Sequence, residues 1–306
     1  MEVNRKSIQK KIADKWTTKS QNPQTIKNKW WKSKHIIRAI NMRVAGLPLD
    51  GQSAGLVQKA KEMAGTSVPF SLGVSVGCGA GDKEMSLISQ GLVEKFILYE
   101  LSEYRVELGR NYAKSQGLSD RVTFVVGDAF EMLKQDEYCD FIHWNNSLHH
   151  MLDTEQAIKW SYKLLKKGGM FYMDDYVGKN YLQFNFKTSE ICTRIRNILP
   201  KKYLVDENQP GKLLPIEVRP QSQSKVSQRD PSEAADSENI LPSLLKYFTD
   251  AQITNTGGAV YNTILADMLT NIDKHSEIFV LDLLMIIDEL LAELGENQYA
   301  TAIAIK

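Results

Sequence analysis

The sequence predicts an α/β fold: a seven-stranded, mostly parallel sheet with helices on both faces, an N-terminal helical arm and a cap inserted after the fifth strand. Three observations lead there. From about Ser67, short apolar runs alternate with stretches of helical periodicity, the pattern of a parallel sheet. The first run ends in Gly77-Cys78-Gly79-Ala80-Gly81, a turn that can bend sharply and let a ligand approach the backbone. The next two runs end beside carboxylates, Glu100 and Asp128, where ligands bind at a switch in strand order.

The elements follow in order. Residues 1–66 form the arm, with Trp16, Trp30 and Trp31 and then Ile36, Ile37, Ile40 and Val44 near helical spacing. Strands are expected at 71–76, 95–100, 122–126, 139–145 and 170–174. Helices are expected at 83–89, 103–115 and 154–165, with an irregular turn at 130–135. Gly168-Gly169 is expected to end the last of these helices. A helix then begins near Ser189, and the chain becomes polar and rich in Pro, Gln, Ser and Asn. Residues 179–240 therefore read as an inserted lid or substrate-binding segment, or otherwise as a disordered linker. A helix at 240–248, a strand at 252–256, a long helix from about Val260 and a strand at 299–305 return to the core, which comprises 67–178 and 241–306.

A chain of 306 residues suits one such core with additions. The three cysteines have no metal-type spacing, and so sparse a set points to a reducing, cytoplasmic setting. The N-terminus lacks the apolar run of a signal peptide. The most apolar run, 278–294, is broken by Asp282, Asp288, Glu289 and Glu293, so it reads as a buried or dimer-forming helix and not a membrane span. The net charge of +1 hides an asymmetry, because residues 1–43 hold twelve Lys or Arg and only two acids. Such an arm suits an anionic partner, whether nucleic acid, a phosphorylated substrate or an acidic surface of its own subunit; a solvated helical face has the same composition.

The chemistry is read from spacing. A dinucleotide site prefers Gly-x-Gly-x-x-Gly, with a pyrophosphate at the helix N-terminus. Here the pattern is Gly-x-Gly-x-Gly, followed by Asp82 and Glu84. Acids in that turn repel a pyrophosphate and suit a cofactor bearing a sulfonium and an ammonium. Glu100 can accept from both hydroxyls of a ribose. Asp128 can accept from an adenine amino group, unless it only caps the following turn.

These residues carry a resemblance. Val74-Ser-Val-Gly-Cys-Gly-Ala-Gly-Asp82, Tyr99-Glu-Leu-Ser102, Gly127-Asp-Ala129, Asn145-Asn-Ser-Leu-His-His150 and Leu164-Leu-Lys-Lys-Gly-Gly169 resemble the class I S-adenosylmethionine-dependent methyltransferases, in the expected order across 70–175. The resemblance implies a Rossmann-like core, S-adenosylmethionine as cofactor, and methyl transfer. It assigns Gly77, Gly79 and Gly81 to the methionine part, Glu100 to the ribose, Asp128 with the Ala129 backbone to the adenine, and Asn145 to the reactive end, and it counts Cys78 and Leu101 among the cofactor-binding residues. The family commonly has an acid two residues before the first glycine, where this chain has Ser75; Asp82 or a residue of the arm is expected to share that role. Trp30-Trp31 and Asn41-Met42-Arg43 are similar to the segment before the core in ubiquinone-type O-methyltransferases, which implies that Arg43 reaches the methionine carboxylate. Farther on, Asp174-Asp-Tyr-Val-Gly178, Asp230-Pro-Ser-Glu-Ala234 and Gly257-Gly258 resemble a group of bacterial methyltransferase-like proteins. A histidine often follows that glycine pair; here Tyr261 and Asn262 stand nearby.

Methyl transfer from a sulfonium is a displacement that depends on alignment, and a base is needed only where the acceptor must lose a proton. His149, His150 and Asp174 are the catalytic candidates, each with a structural alternative as a loop or cap ligand. Tyr181, Phe184, Phe186, Arg194 and Arg196 of the insertion are candidate walls of an acceptor pocket. No required metal is expected. The expected acceptor is an oxygen or nitrogen of a small molecule, a sugar or secondary metabolite, with no membrane partner and with homodimerisation possible through 278–294. The alternatives are a nucleic-acid methyltransferase gripping phosphates with its arm, against which stands the lack of a Pro-Pro-Tyr-type signature at Asn145-Asn-Ser-Leu148, or a catalytically silent cofactor-binding protein.

Overall fold

The computed structural model describes residues 2–21, 29–206, 209, 211–274 and 277–306. Before the sheet lie α1 (Glu2–Gln21), α2 (Lys34–Ala45) and α3 (Ala54–Ala64). Then β1 (Phe70–Val76), α4 (Asp82–Ser89), β2 (Val93–Glu100), α5 (Glu103–Ser115), β3 (Val122–Val126), α6 (Ala129–Met132), β4 (Cys139–Asn145), α7 (Thr154–Leu164) and β5 (Leu165–Tyr176) alternate. The insertion holds α8 (Phe186–Ile198) and α9 (Gln223–Arg229). After it come α10 (Ile240–Tyr247), β6 (Gln252–Gly257), α11 (Ala266–Lys274), α12 (Ile278–Glu293) and β7 (Tyr299–Ile305).

The strands form one sheet in the order β3-β2-β1-β4-β5-β7-β6. All neighbours are parallel except β7, which runs antiparallel to both β5 and β6. The expected seven-stranded, mostly parallel, Rossmann-like sheet is therefore present. Its order reverses between β1 and β4, so the carboxyl ends of those two strands flank a crevice.

Side chains alternate across the sheet with the period of two that strands impose. Phe141, Met170 and Tyr172 face one way, onto α2 to α5; Ile142, Trp144, Phe171 and Met173 face the other, onto α7 and α10. Strands buried on both faces read as nearly continuous apolar runs. A third core joins the insertion to the C-terminal helices: Cys192, Ile195, Tyr203, Leu204 and Val218 pack with Met268, Leu281 and Leu284. The polar composition of 179–240 thus conceals a packed segment.

Three local expectations need correction. Gly168-Gly169 does not end a helix, because α7 stops at Leu164 and β5 begins at once. The pair lies where the register against β4 slips, between Leu165 and Met170, and a side chain at Gly169 would meet the Asp140 carbonyl 3.0 Å away. The long helix from Val260 is instead a π-helical turn, Tyr261–Leu265, followed by α11 and α12. Val280, Leu281, Leu284 and Met285 of α12 are buried, while Phe279, Leu283, Ile286 and Leu290 on its other side are exposed. Among the described residues no helix is long and apolar enough to cross a membrane.

The third correction concerns Arg43. Its Nη1 donates to Asp288 Oδ2 at 2.9 Å and to the Thr256 carbonyl, and its Nη2 donates to the Met285 carbonyl. Both partners are buried, and Arg43 does not line the central cavity. The guanidinium is committed to a buried carboxylate and two backbone carbonyls outside the cavity. Asp288 also accepts from the backbone N–H of Gly258 and Val260. Gly257 tolerates no side chain here, since a Cβ would lie 1.8 Å from Asp288 Oδ2 on a backbone at φ +93°.

Replacing Arg43 with Met should therefore destabilise the fold by about 3–5 kcal/mol, the usual cost of stranding a buried charge. Denaturant unfolding measures the loss. A cost below about 1 kcal/mol would mean that Asp288 finds another donor.

Candidate functional site

A cavity of about 1470 Å³ opens at the carboxyl ends of β1, β2, β4 and β5, under α1. The turn after β1 forms its floor. Gly77, Gly79 and Gly81 have φ of +69°, +63° and +72°, values that L side chains rarely adopt. The turn is tied to the next strand, as Gly77 N–H donates to the Tyr99 carbonyl and Gly79 N–H to Glu100 Oε2 at 2.9 Å. Ser102 N–H donates to the other Glu100 oxygen, and Arg105 stands 3.4 Å from Oε2. Glu100 is thereby fixed at the end of β2. Asp128 does cap α6, accepting from Phe130 N–H at 2.8 Å. Its other oxygen accepts from Gln9 of α1 at 2.6 Å and faces the cavity, so capping and exposure to a ligand coexist.

The position that has Ser75 in place of an acid is explained one helical turn later. Ser75 Oγ donates to Glu84 Oε1 at 2.7 Å, and His143 Nδ1 lies 2.8 Å from the same oxygen. Glu84 therefore brings a buried carboxylate from α4 to the strand's side, while Asp82, expected to share that role, is exposed and also lines the cavity. Burial opposes its ionisation, but the charge and hydrogen bond of His143 and the hydroxyl of Ser75 outweigh this and hold the carboxyl below its ordinary range. Its second oxygen is buried with no hydrogen-bond partner among the described residues, and so are Ser147 Oγ and Tyr172 OH. All three side chains belong to residues of the cavity wall. With Tyr261 OH, which belongs to the same wall, four orphaned polar atoms around one cavity suit a polar ligand.

The other end of the cavity gathers histidines. Asp175, fully buried at the end of β5, accepts from the backbone N–H of Ser147, Leu148 and Tyr176 at 2.8–2.9 Å. It also holds His149 Nδ1 at 2.5 Å. Burial opposes protonation of His149, but the Asp175 charge, its hydrogen bond and nearby Glu233 outweigh this and raise the imidazole above its usual value. His150 is the reverse: burial, then the neighbouring His149, push it down to about 4. Asp174 accepts from Ser53 Oγ at 2.7 Å, and burial raises its carboxyl. Lys83 of α4 binds the Asn145 side-chain oxygen, so that amide is engaged within the protein.

Of the residues singled out from the sequence, Gly77, Cys78, Glu100, Leu101, Asp128, Ala129, Asn145, His149, His150 and Asp174 all line this cavity. Gly79 and Gly81 lie behind it as turn formers, and Arg43 is elsewhere. None of Tyr181, Phe184, Phe186, Arg194 or Arg196 lines it. Phe186 points to solvent, and Arg196 is committed to the Pro215 carbonyl and Asp267. The insertion contributes Glu233 instead, a residue inside the quoted Asp230-Pro-Ser-Glu-Ala234 stretch that had been given no role. Glu84 was read with Asp82 as an acid suited to a sulfonium and an ammonium but was not named as a binding residue, and His143 and Trp16 were missed as cavity residues.

Residues 74–219 match the family model described as a methyltransferase domain. Over these residues the chain is similar to class I S-adenosylmethionine-dependent methyltransferases. The domain is similar to the sterol 24-C-methyltransferase of Yarrowia lipolytica, 29% identical over 133 residues that cover 42% of this chain and 35% of that protein. It is similar to the demethylmenaquinone methyltransferase of Leptospira interrogans, 31% identical over 103 residues, 33% of this chain and 41% of that one. The 27-O-demethylrifamycin SV methyltransferase of Amycolatopsis mediterranei is 29% identical over 104 residues, 34% and 38% of the two chains. The chain spans less than half the length of these curated relatives. Its fold resembles phosphoethanolamine N-methyltransferase 2 of Haemonchus contortus, solved with S-adenosyl-L-methionine, at a TM-score of 0.52, 16% identity and coverage of 90% of this chain and 57% of that one.

S-adenosylmethionine is the cofactor of the class, and the residues of the methyltransferase domain fit it. An unpartnered carboxylate oxygen at Glu84 suits an ammonium, and the acids around the glycine turn suit a sulfonium.

Because the folded-state Glu84 carboxyl sits below its ordinary value of 4.5, it contributes stability that is complete above that pH and is lost as pH falls through the lowered value. In Glu84→Gln this part of the acid limb should vanish. Urea unfolding of both proteins between pH 3 and 7 checks it; parallel curves would refute the assignment.

Proposed function

We propose that this protein transfers a methyl group from S-adenosylmethionine to an oxygen or nitrogen of a small-molecule acceptor. The observation that carries the reading is one cavity lined at one end by Gly77, Glu84, Glu100 and Asp128 and at the other by His149, His150, Asp174 and Glu233. Glu84 binds the ammonium of the methionine part, Glu100 the ribose hydroxyls, and Asp128 with the Ala129 backbone the adenine. Cys78, Leu101 and Asn145 border the same molecule. The bound cofactor supplies an activated methyl group on a sulfonium.

The chain's own residues align and shield the transfer. Trp16, Trp30, Tyr261 and Tyr299 give the cavity an aromatic wall that excludes water and presents an apolar surface to an acceptor. His149, held in one orientation by Asp175, faces the acceptor's reacting atom together with His150 and Glu233. Relatives named as acting on a sterol, a demethylmenaquinone and a rifamycin support an acceptor of small-molecule size. We also propose that residues 179–240 act as the substrate-side cap on the core of 67–178 and 241–306, contributing Glu233, and that residues 1–66 close the cavity from above.

Equilibrium binding tests the cofactor end. The chain should bind S-adenosylmethionine and not NAD, and Asp128→Ala should weaken binding roughly 10- to 100-fold, the worth of a hydrogen bond to a charged group. Equal affinity for NAD, or an unchanged affinity in the variant, would overturn the reading. The acceptor end is tested separately: His149→Ala should leave cofactor affinity unchanged and lower kcat by about 100-fold or more in a labelled-methyl assay against a metabolite extract. A variant as active as the parent would remove His149 from the chemistry.

A further inference from the structure

The histidines at the acceptor end form a set that proton transfer alone does not explain. His149, His150 and Glu233 each present one ligating atom, and these atoms lie within 4.8 Å of one another. His149 Nε2 is 3.7 Å from Glu233 Oε1. Ligand atoms around an ion at about 2.0–2.2 Å stand roughly 3–4.4 Å apart, so little adjustment is needed. We propose that His149, His150 and Glu233 bind a divalent transition-metal ion of the zinc or iron(II) class, with its open positions facing the cavity.

The surroundings are those of a ligand set held from behind. A metal-binding imidazole needs its second nitrogen hydrogen-bonded, which fixes the ring and its tautomer. His149 Nδ1 is held by Asp175, itself locked by three backbone N–H groups. His150 Nδ1 lies 3.2 Å from Ser232 Oγ, which donates to the buried Asp230 at 2.7 Å. Both rings are thus anchored through Nδ1, by different elements, and both keep Nε2 available. The third ligand is aimed in the same way: Lys15 stands 3.7 Å from Glu233 Oε2, leaving Oε1 toward the imidazoles.

Charge points the same way. Lys15 meets Asp230 and Glu233, Lys19 also acts on Glu233, and among the described residues Asp175 is ion-paired only with His149. With both imidazoles neutral, the three carboxylates outnumber the two ammoniums in a mostly buried place, and a divalent ion offsets the remaining negative charge. Two histidines and one carboxylate are a set used by both zinc and iron(II), and they leave positions free for water or a substrate atom. Those positions open onto the proposed acceptor end, because all three ligands line the cavity. The inference rests on the methyltransferase reading only for what the ion would do there; the site itself rests on these residues.

Metal binding to the full chain, freed of metal by chelation, tests it without any acceptor. One equivalent of Co2+ should bind and give visible absorption of a four- or five-coordinate ion, displaced by Zn2+. Glu233→Gln and His150→Ala should each weaken Co2+ binding at least tenfold, while His35→Ala, on α2 and outside the cavity, should not. Unfolding curves of each variant confirm that the protein compared is folded, and Glu233→Gln, at a partly exposed position, keeps the test open if His150→Ala fails to fold. No uptake by the parent, or uptake that both variants retain, would overturn the proposal. Cofactor binding is measured apart, so Co2+ uptake without S-adenosylmethionine binding would sink the methyltransferase reading and leave the metal site standing.

Discussion

Asp175 holds the histidine-bearing part of the cavity together through four donors. Its carboxylate is fully buried at the end of β5, and three of its hydrogen bonds come from the backbone of the loop after β4 and of Tyr176. A buried carboxylate without donors would cost several kcal/mol, so the loop has to present its N–H groups and His149 has to lie where it does. The same constraint recurs around the domain. Glu100 organises the glycine turn, Asp128 starts α6, and Asp288 gathers Gly258, Val260 and Arg43. Asp175, Glu100 and Asp128 lie at or just past strand ends, whereas Asp288 comes from α12 to the end of β6. The groups in turn shape the loops there.

That arrangement separates two kinds of carboxylate. Asp175 and Asp288 have their oxygens engaged by protein donors and so serve as anchors. Glu84 keeps one oxygen unpartnered among the described residues, which makes it a ligand-facing acid although it is as deeply buried. The difference lies in the number of local donors. Asp175 sits where three N–H groups converge, whereas Glu84 leaves its helix to meet only Ser75 and His143 on neighbouring strands. An acid carried by α4 can thus take a place that an acid on β1 would otherwise fill.

What was legible in the sequence was what chain-local spacing encodes. The glycine turn, Glu100 and Asp128 each follow directly on a strand, so their convergence comes from the parallel order alone. What was not legible depends on partners far along the chain. Arg43 meets an acid 245 residues away, and nothing beside it in the sequence distinguishes a cofactor ligand from a buried ion pair. Glu233 reaches the histidines from an insertion whose polar composition suggested a loop, since its apolar residues are few and packed by a third core. Gly168-Gly169 resembled a helix stop because a bulge and a helix end both favour glycine.

The basic arm acquires a meaning from the same acids. No residue of 7–21 is fully buried, so α1 is held less by an apolar face than by polar contacts. Those contacts reach both ends of the cavity: Gln9 meets Asp128, Thr17 meets Ser102, and Lys15 meets Asp230 and Glu233. Trp16 adds an aromatic contact on each side, one with Arg105 and one with His150. Of the partners that the charge asymmetry left open, an acidic surface of the chain's own subunit is the one these contacts supply, through Asp230 and Glu233 of the insertion. Electrostatic attraction between exposed groups is weak and screened, but Asp230 is buried, where screening is least. Lys15 therefore counts where it meets the buried Asp230 and, beside the cavity, Glu233, and it ties the basic helix to the insertion.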